Sequence, residues 1–218
     1  MTERAGRIKG RKLYSLFPDT GPYRRELYAK HLEFFAAGVE HRERLFMAAN
    51  RVGKTEGGGY ETALHLTGLY PGWWPGRTFD HAVQAWTAGD TSKTVRDIQQ
   101  EKLLGPINAI GSGLIPADTI IRTTPKTGVP DAIETVYVRH KSGDESRLDF
   151  KSYDQGRIAF QGTSKHVIWL DEEPDMGVYT ECLTRTMDCG GMSMLTFTPL
   201  LGLSEVVLTF MPDGTVPA

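Results

Sequence analysis

The stretch "LFMAANRVGKTEGGG", residues 45–59, runs from five apolar residues through Asn-Arg-Val into Gly-Lys-Thr and, after Glu56, three glycines. A phosphate-binding loop is written G-x-x-x-x-G-K-[ST], which would place its first glycine at position 48. This chain has Ala48 there. Such a loop needs a strand, a tight turn with exposed main-chain N–H groups, and a helix N-terminus whose dipole favours a phosphate. RLFMAA, NRVGKT and EGGGYETALHL supply the three parts in order. The reading assigns nucleotide binding to Ala49, Asn50, Arg51, Val52, Gly53, Lys54 and Thr55. Lys54 is placed to reach the β- and γ-phosphate oxygens, and the Thr55 hydroxyl to bind Mg²⁺.

Two further stretches fit the same chemistry. VIWLDEE, residues 167–173, is an apolar strand ending in acids. A buried strand can hold a carboxylate rigidly at the edge of a sheet, so Asp171 is expected to hold Mg²⁺ and Glu172 to orient and deprotonate the attacking water. Acids here also suit a helix N-terminus, and Pro174 agrees with that alternative. LTFTPLLG, residues 195–202, ends a strand in Thr196, Phe197, Thr198 and Pro199. Thr196 and Thr198 are candidates for sensing the γ-phosphate, against the plainer role of hydroxyls satisfied by backbone.

The other patterns give an alternating order. Residues 24–37 read as an amphipathic helix with Leu27, His31, Phe34 and Phe35 near one face, closed at Gly38. Residues 44–49 read as a strand, and Lys54 to about Leu69 as a helix. The loop through His81 carries Trp73 and Trp74 as caps on the core edge. A strand is expected over 82–90 and a helix over 91–104, with a Thr or Ser cap. Residues 105–118 are turn-rich. ETVYVRH and SRLDFKSY, around KSGDE, predict a β-hairpin. A helix over roughly 175–189 precedes the strand MSMLTFTP. Strands alternating with helices, the first turn carrying glycines, predict an α/β fold with a mostly parallel sheet.

With 218 residues, 39% hydrophobic and 24% charged, the chain has an ordinary globular composition and room for one large domain. Residues 1–20 are expected to form a basic, flexible tail, and 21–218 the folded domain. No apolar run reaches the roughly 18 residues of a transmembrane helix, so no membrane partner is expected. The net charge of −2 gives no overall footprint for nucleic acid. Cys182 and Cys189 have neither zinc nor disulfide spacing and read as reduced, buried thiols.

Taken together, ANRVGKT, LDEEP and TFTP resemble the ATPase domain of phage terminase large subunits, over nearly all of residues 24–210. In that family the phosphate loop often lacks its first glycine and carries an arginine. The resemblance implies a P-loop NTPase of the RecA/ASCE type with an inserted β-hairpin, using ATP and Mg²⁺. It implies hydrolysis coupled to moving double-stranded DNA through a portal protein into a procapsid. It further implies a small terminase subunit and a homo-oligomeric ring, of five copies, as partners, acting in the host cytoplasm.

An arginine finger is then sought. Arg51 would act in cis and Arg157 in trans, with a surface ion pair to Asp154 as the alternative for Arg157. Many terminases have arginine where this chain has Gln161. Tyr28 and His31 lie where the family contacts adenine, and helix packing is the competing role for His31. Family members are roughly twice this length and add a nuclease. No such domain fits before Ala218, so no nuclease activity is expected. Competing readings are a helicase-like ATPase, which needs a second lobe, and a nucleotide-gated interaction module.

Overall fold

In the computed structural model, residues 12–200 and 202–211 are described. Seven strands form one sheet in the order β1-β7-β6-β2-β5-β4-β3. They are β1 (Glu43–Met47), β2 (Gln84–Gly89), β3 (Ile120–Pro125), β4 (Ile133–Arg139), β5 (Glu145–Ser152), β6 (Val167–Asp171) and β7 (Met192–Phe197). Pairing is parallel from β1 through β7, β6 and β2 to β5. It is antiparallel from β5 through β4 to β3. The predicted hairpin is present as β4–β5, and β5 also serves as the fifth parallel strand. The strand β3 was not foreseen: its burial alternates weakly, with both prolyl and charged positions at the surface.

The helices are α1 (Lys12–Ser15), α2 (Ala29–Ala37), α3 (Lys54–Thr67), α4 (Ser92–Val95), α5 (Glu101–Leu104), α6 (Met176–Met187) and α7 (Glu205–Thr209). A π turn, Arg96–Gln100, joins α4 to α5, so the expected helix over 91–104 forms with a wide turn in its middle. Its cap is Thr91, whose side chain accepts from the Thr94 N–H. The expected helix over 24–37 begins as a 3₁₀ turn, Arg25–Tyr28. That change of winding turns Leu27 outward, 56% exposed, while His31, Phe34 and Phe35 are buried as expected.

Strand side chains alternate between two apolar layers. Val167 and Trp169 join Met192, Met194 and the α3 residues Tyr60 and Leu64 on one face. Ile168 and Leu170 join Leu195, Phe197 and the α6 residues Val178 and Cys182 on the other. The result is a three-layer sandwich with α3 laid across one face of the sheet and α6 across the other. Cys182 is buried as expected, whereas Cys189 is only half-buried.

Part of the expected tail is folded. Leu13 is fully buried, and Phe17 packs edge-on against Phe35 and Tyr60. Leu13, Leu16 and Phe17 are spaced to present one apolar face, which outweighs the basic charge around them. The expected tail residues 1–11 lie outside the described residues. Trp73 and Trp74 pack against this aromatic cluster, stacking on Tyr60 and tilting over Phe35.

One polar network is sealed inside. Arg44 of β1 donates to Glu61 of α3 at 2.7 and 3.2 Å and to the Phe34 carbonyl at 2.6 Å. His65 lies 3.2 Å from the same carboxylate and 2.9 Å from the Tyr70 hydroxyl. Removing Arg44 or Glu61 would strand the other's buried charge, which typically costs about 3–5 kcal/mol. The network therefore fixes α3 to the strand that feeds the glycine loop.

Candidate nucleotide site

Residues 48–53 leave the C-terminal end of β1 and turn into α3. Gly53 caps the helix with φ 87°, a left-handed conformation that glycine adopts without steric penalty. Arg51 also has positive φ, 64°. Among the described residues, no main-chain N–H of residues 49–53 has a protein acceptor. Donors left free at a helix N-terminus are what a phosphate requires. Lys54 Nζ lies across the loop, donating to the Ala49 carbonyl at 2.7 Å and the Thr198 hydroxyl at 2.9 Å.

The strand that ends in Asp171 is not the immediate neighbour of β1; β7 lies between them. This order brings three elements to one point. The Thr55 hydroxyl of α3 donates to Asp171 of β6 at 3.1 Å. The Thr196 hydroxyl of β7 donates to the same carboxylate at 2.6 Å. Trp169 Nε1 in turn donates to Thr196 Oγ1 at 2.7 Å. Thr196 thus holds the acid, and Thr198, beside Lys54 and 2.7 Å from Asn50 Oδ1, is the hydroxyl that reaches the loop.

Burial pushes the Asp171 carboxyl up to about 6, with the Thr196 and Thr55 hydroxyls opposing. Burial also raises Glu172, helped by the charge of Asp90, and lowers Lys54 against the pull of Glu172 and Asp171. A carboxylate and a threonine hydroxyl in contact form a hard-oxygen pair that suits Mg²⁺ beside phosphates. Thr55 and Asp171 are the residues that would hold it. A cation beside it would favour the ionised form of this buried acid, so the donor set fits the ion.

The remaining candidates fall in three places. His31, buried at 6% exposure, points its Nε2 at the Gly53 carbonyl, 3.2 Å away, and packs edge-on against Phe46. Its tip therefore props the loop from behind. Tyr28 and Val52 line a groove of about 910 Å³ along β1, the free edge of the sheet, next to Ala48. Arg157, in the turn between β5 and β6, pairs with Glu181 of α6 at 3.2 Å rather than with Asp154. Arg51 is exposed and has no hydrogen bond or ion pair among the described residues.

Sequence reasoning missed Trp169, which anchors Thr196, and Tyr153, whose hydroxyl reaches the Glu172 carbonyl at 3.0 Å. An indole within the acidic strand was the available signal for the first; nothing local marks the second.

With that geometry established, comparison with known proteins is specific. The family described as "Terminase large subunit, T4likevirus-type, N-terminal" matches residues 45–214. The chain belongs to the terminase large-subunit family. The large terminase subunit of Salmonella phage P22 is 40% identical over 206 residues, covering 85% of this chain and 41% of that protein. The chain thus spans about two-fifths of that relative's length.

Among solved structures, the large terminase ATPase domain of Thermus phage P74-26 matches with a TM-score of 0.59 at 13% identity. The match covers 88% of this chain and 76% of that one. The large terminase of another thermophilic bacteriophage matches with a TM-score of 0.51 at 13% identity, covering 78% of this chain and 37% of that one. At such identities the likeness establishes the fold, a terminase-type α/β P-loop domain. No helix among the described residues is long and apolar enough to cross a membrane.

Proposed function

We propose that this chain is the ATP-hydrolysing motor domain of a terminase, coupling Mg²⁺-ATP hydrolysis to translocation of double-stranded DNA into a procapsid. The observation that carries the reading is the junction of Lys54, Thr55, Asp171, Thr196 and Thr198 at the C-terminal edge of a parallel sheet. Helix α3, strand β6 and strand β7 meet there with free loop amides above them.

In this account the amides of residues 49–53 cradle the phosphates, and Lys54 leaves the Ala49 carbonyl to neutralise the β- and γ-oxygens. When bound, Mg²⁺ supplies charge neutralisation and phosphate positioning. Glu172, raised by burial, takes a proton from the attacking water. Thr198, which touches both Lys54 and the Ala48 carbonyl at 3.0 Å, senses the change when the lysine moves. Tyr28 and Val52, on the groove beside the loop, take the adenine, and His31 supports Gly53.

Arg51, unpaired on the loop, serves as the finger in cis. Arg157 serves as the finger in trans, offered to the site of a neighbouring subunit, and within its own chain it is paired with Glu181. Either role is worth roughly 10³–10⁵ in rate. Duplex DNA, a portal protein, a small terminase subunit and a ring of five copies in the host cytoplasm are the partners this reading requires.

Lys54→Ala is expected to abolish ATP turnover, and Glu172→Gln to keep nucleotide binding while stopping phosphate release. Full turnover in Glu172→Gln would remove the assigned base. ATP binding without phosphate release in the assembled motor would favour a nucleotide-gated interaction module.

A further inference from the structure

Glu172 is not a glycine, yet its φ is 70°. Side chains rarely hold this left-handed conformation unless neighbours fix it. Both main-chain groups of the residue are in fact tied. Its N–H donates to the Thr196 carbonyl of β7 at 3.2 Å. Its carbonyl accepts from the Tyr153 hydroxyl at 3.0 Å. The same hydroxyl lies 3.3 Å from the Asp171 carbonyl and 3.4 Å from that of Ala88, at the end of β2.

A phenol has one proton to give, so the shortest contact, to Glu172, takes it most directly. Tyr153 opens the 3₁₀ turn that follows β5, and its ring packs 6.4 Å from Phe160, which lies over Trp86. The hydroxyl is therefore held from below by the second apolar layer and presented to the ends of β2 and β6.

We propose that Tyr153 is a positioning residue for hydrolysis. Its hydroxyl locks the main chain of Glu172 in the left-handed conformation that aims the carboxylate at the attacking water. This rests on Glu172 acting as the base. Tyr153 touches neither the loop nor Lys54, so its contribution belongs to the chemical step and not to nucleotide affinity. The segment it opens also carries Arg157 and the 79% exposed Ile158, which ties the geometry of the base to the outermost part of that segment.

The test is Tyr153→Phe, which removes one oxygen and keeps the ring. Steady-state ATP hydrolysis, affinity for a fluorescent ATP analogue and thermal unfolding are measured for the wild type, Tyr153→Phe and Glu172→Gln. The expected result is a kcat lowered by roughly threefold to tenfold, the size of one hydrogen bond. Analogue affinity should stay within about twofold, and unfolding should remain cooperative. Wild-type kcat in Tyr153→Phe, with Glu172→Gln inactive, would overturn the proposal and leave the base assignment standing. A parallel loss of affinity and rate, or loss of cooperative unfolding, would also overturn it by making the hydroxyl a support of the fold. Full turnover in Glu172→Gln would sink the base assignment, and this proposal with it.

Discussion

Thr196 shows how much of a site can depend on one hydroxyl. It accepts from the Trp169 indole and donates to Asp171, and it is 1% exposed. Thr196→Val keeps the shape but leaves a buried N–H unpaired and the carboxylate with one donor fewer. A stability loss of about 1–3 kcal/mol is expected in denaturant unfolding; an unchanged midpoint would show that the indole finds another acceptor. At this scale the sequence was informative where the chemistry is local. Lys54 and Thr55 follow the loop glycine directly, and Asp171 ends an apolar strand, so their places in the fold could be read in order. The hydroxyls after Leu195 were also visible, but which one faces the acid and which the loop depends on strand register. His31 could be read only as an alternative between base contact and packing, because its partner, Gly53, is 22 residues away.

At the scale of elements, α3 carries three consecutive glycines against helix propensity. Each costs about 1 kcal/mol relative to alanine. Gly58 explains one of them: a Cβ there would stand 2.3 Å from Trp169 Nε1 and 2.6 Å from Cε2. The indole cannot retreat without breaking its bond to Thr196. Gly58→Ala is therefore expected to destabilise the fold, the steric cost of about 1–3 kcal/mol exceeding the propensity gain. It should also lower ATP turnover by displacing Asp171; a stabilised, fully active variant would contradict this packing account. The strands β1, β6 and β7 were legible as apolar runs, and the hairpin as alternation around a turn. The strand β3 and the place of β7 between β1 and β6 were not. Both are set by pairing across the sheet, to which a local pattern is blind.

Over the whole molecule, buried imidazoles set a pH limit. Burial lowers His65, despite the pull of the Glu61 carboxylate, and lowers His31 and His140 below the ordinary 6.5. An unfolded chain takes up protons near that value which the folded chain refuses. Stability is therefore expected to fall as pH drops below about 6.5. Glu61 is held below the ordinary 4.5 by Arg44 and His65 against its desolvation, and adds a second loss as pH falls through the acid range. Thermal unfolding from pH 8 to 4 checks this; a midpoint rising on acidification would contradict it.

The ring reading makes its own demand at this scale. If Arg157 acts in trans, turnover per chain must rise with protein concentration, and Arg157→Ala must remove that rise. ATP binding and phosphate release measured in Glu172→Gln beside the wild type decide whether Glu172 is the base of an ATPase. Retained binding with lost hydrolysis is the predicted result. Wild-type hydrolysis by Glu172→Gln, or no ATP binding by the unaltered chain, would contradict it.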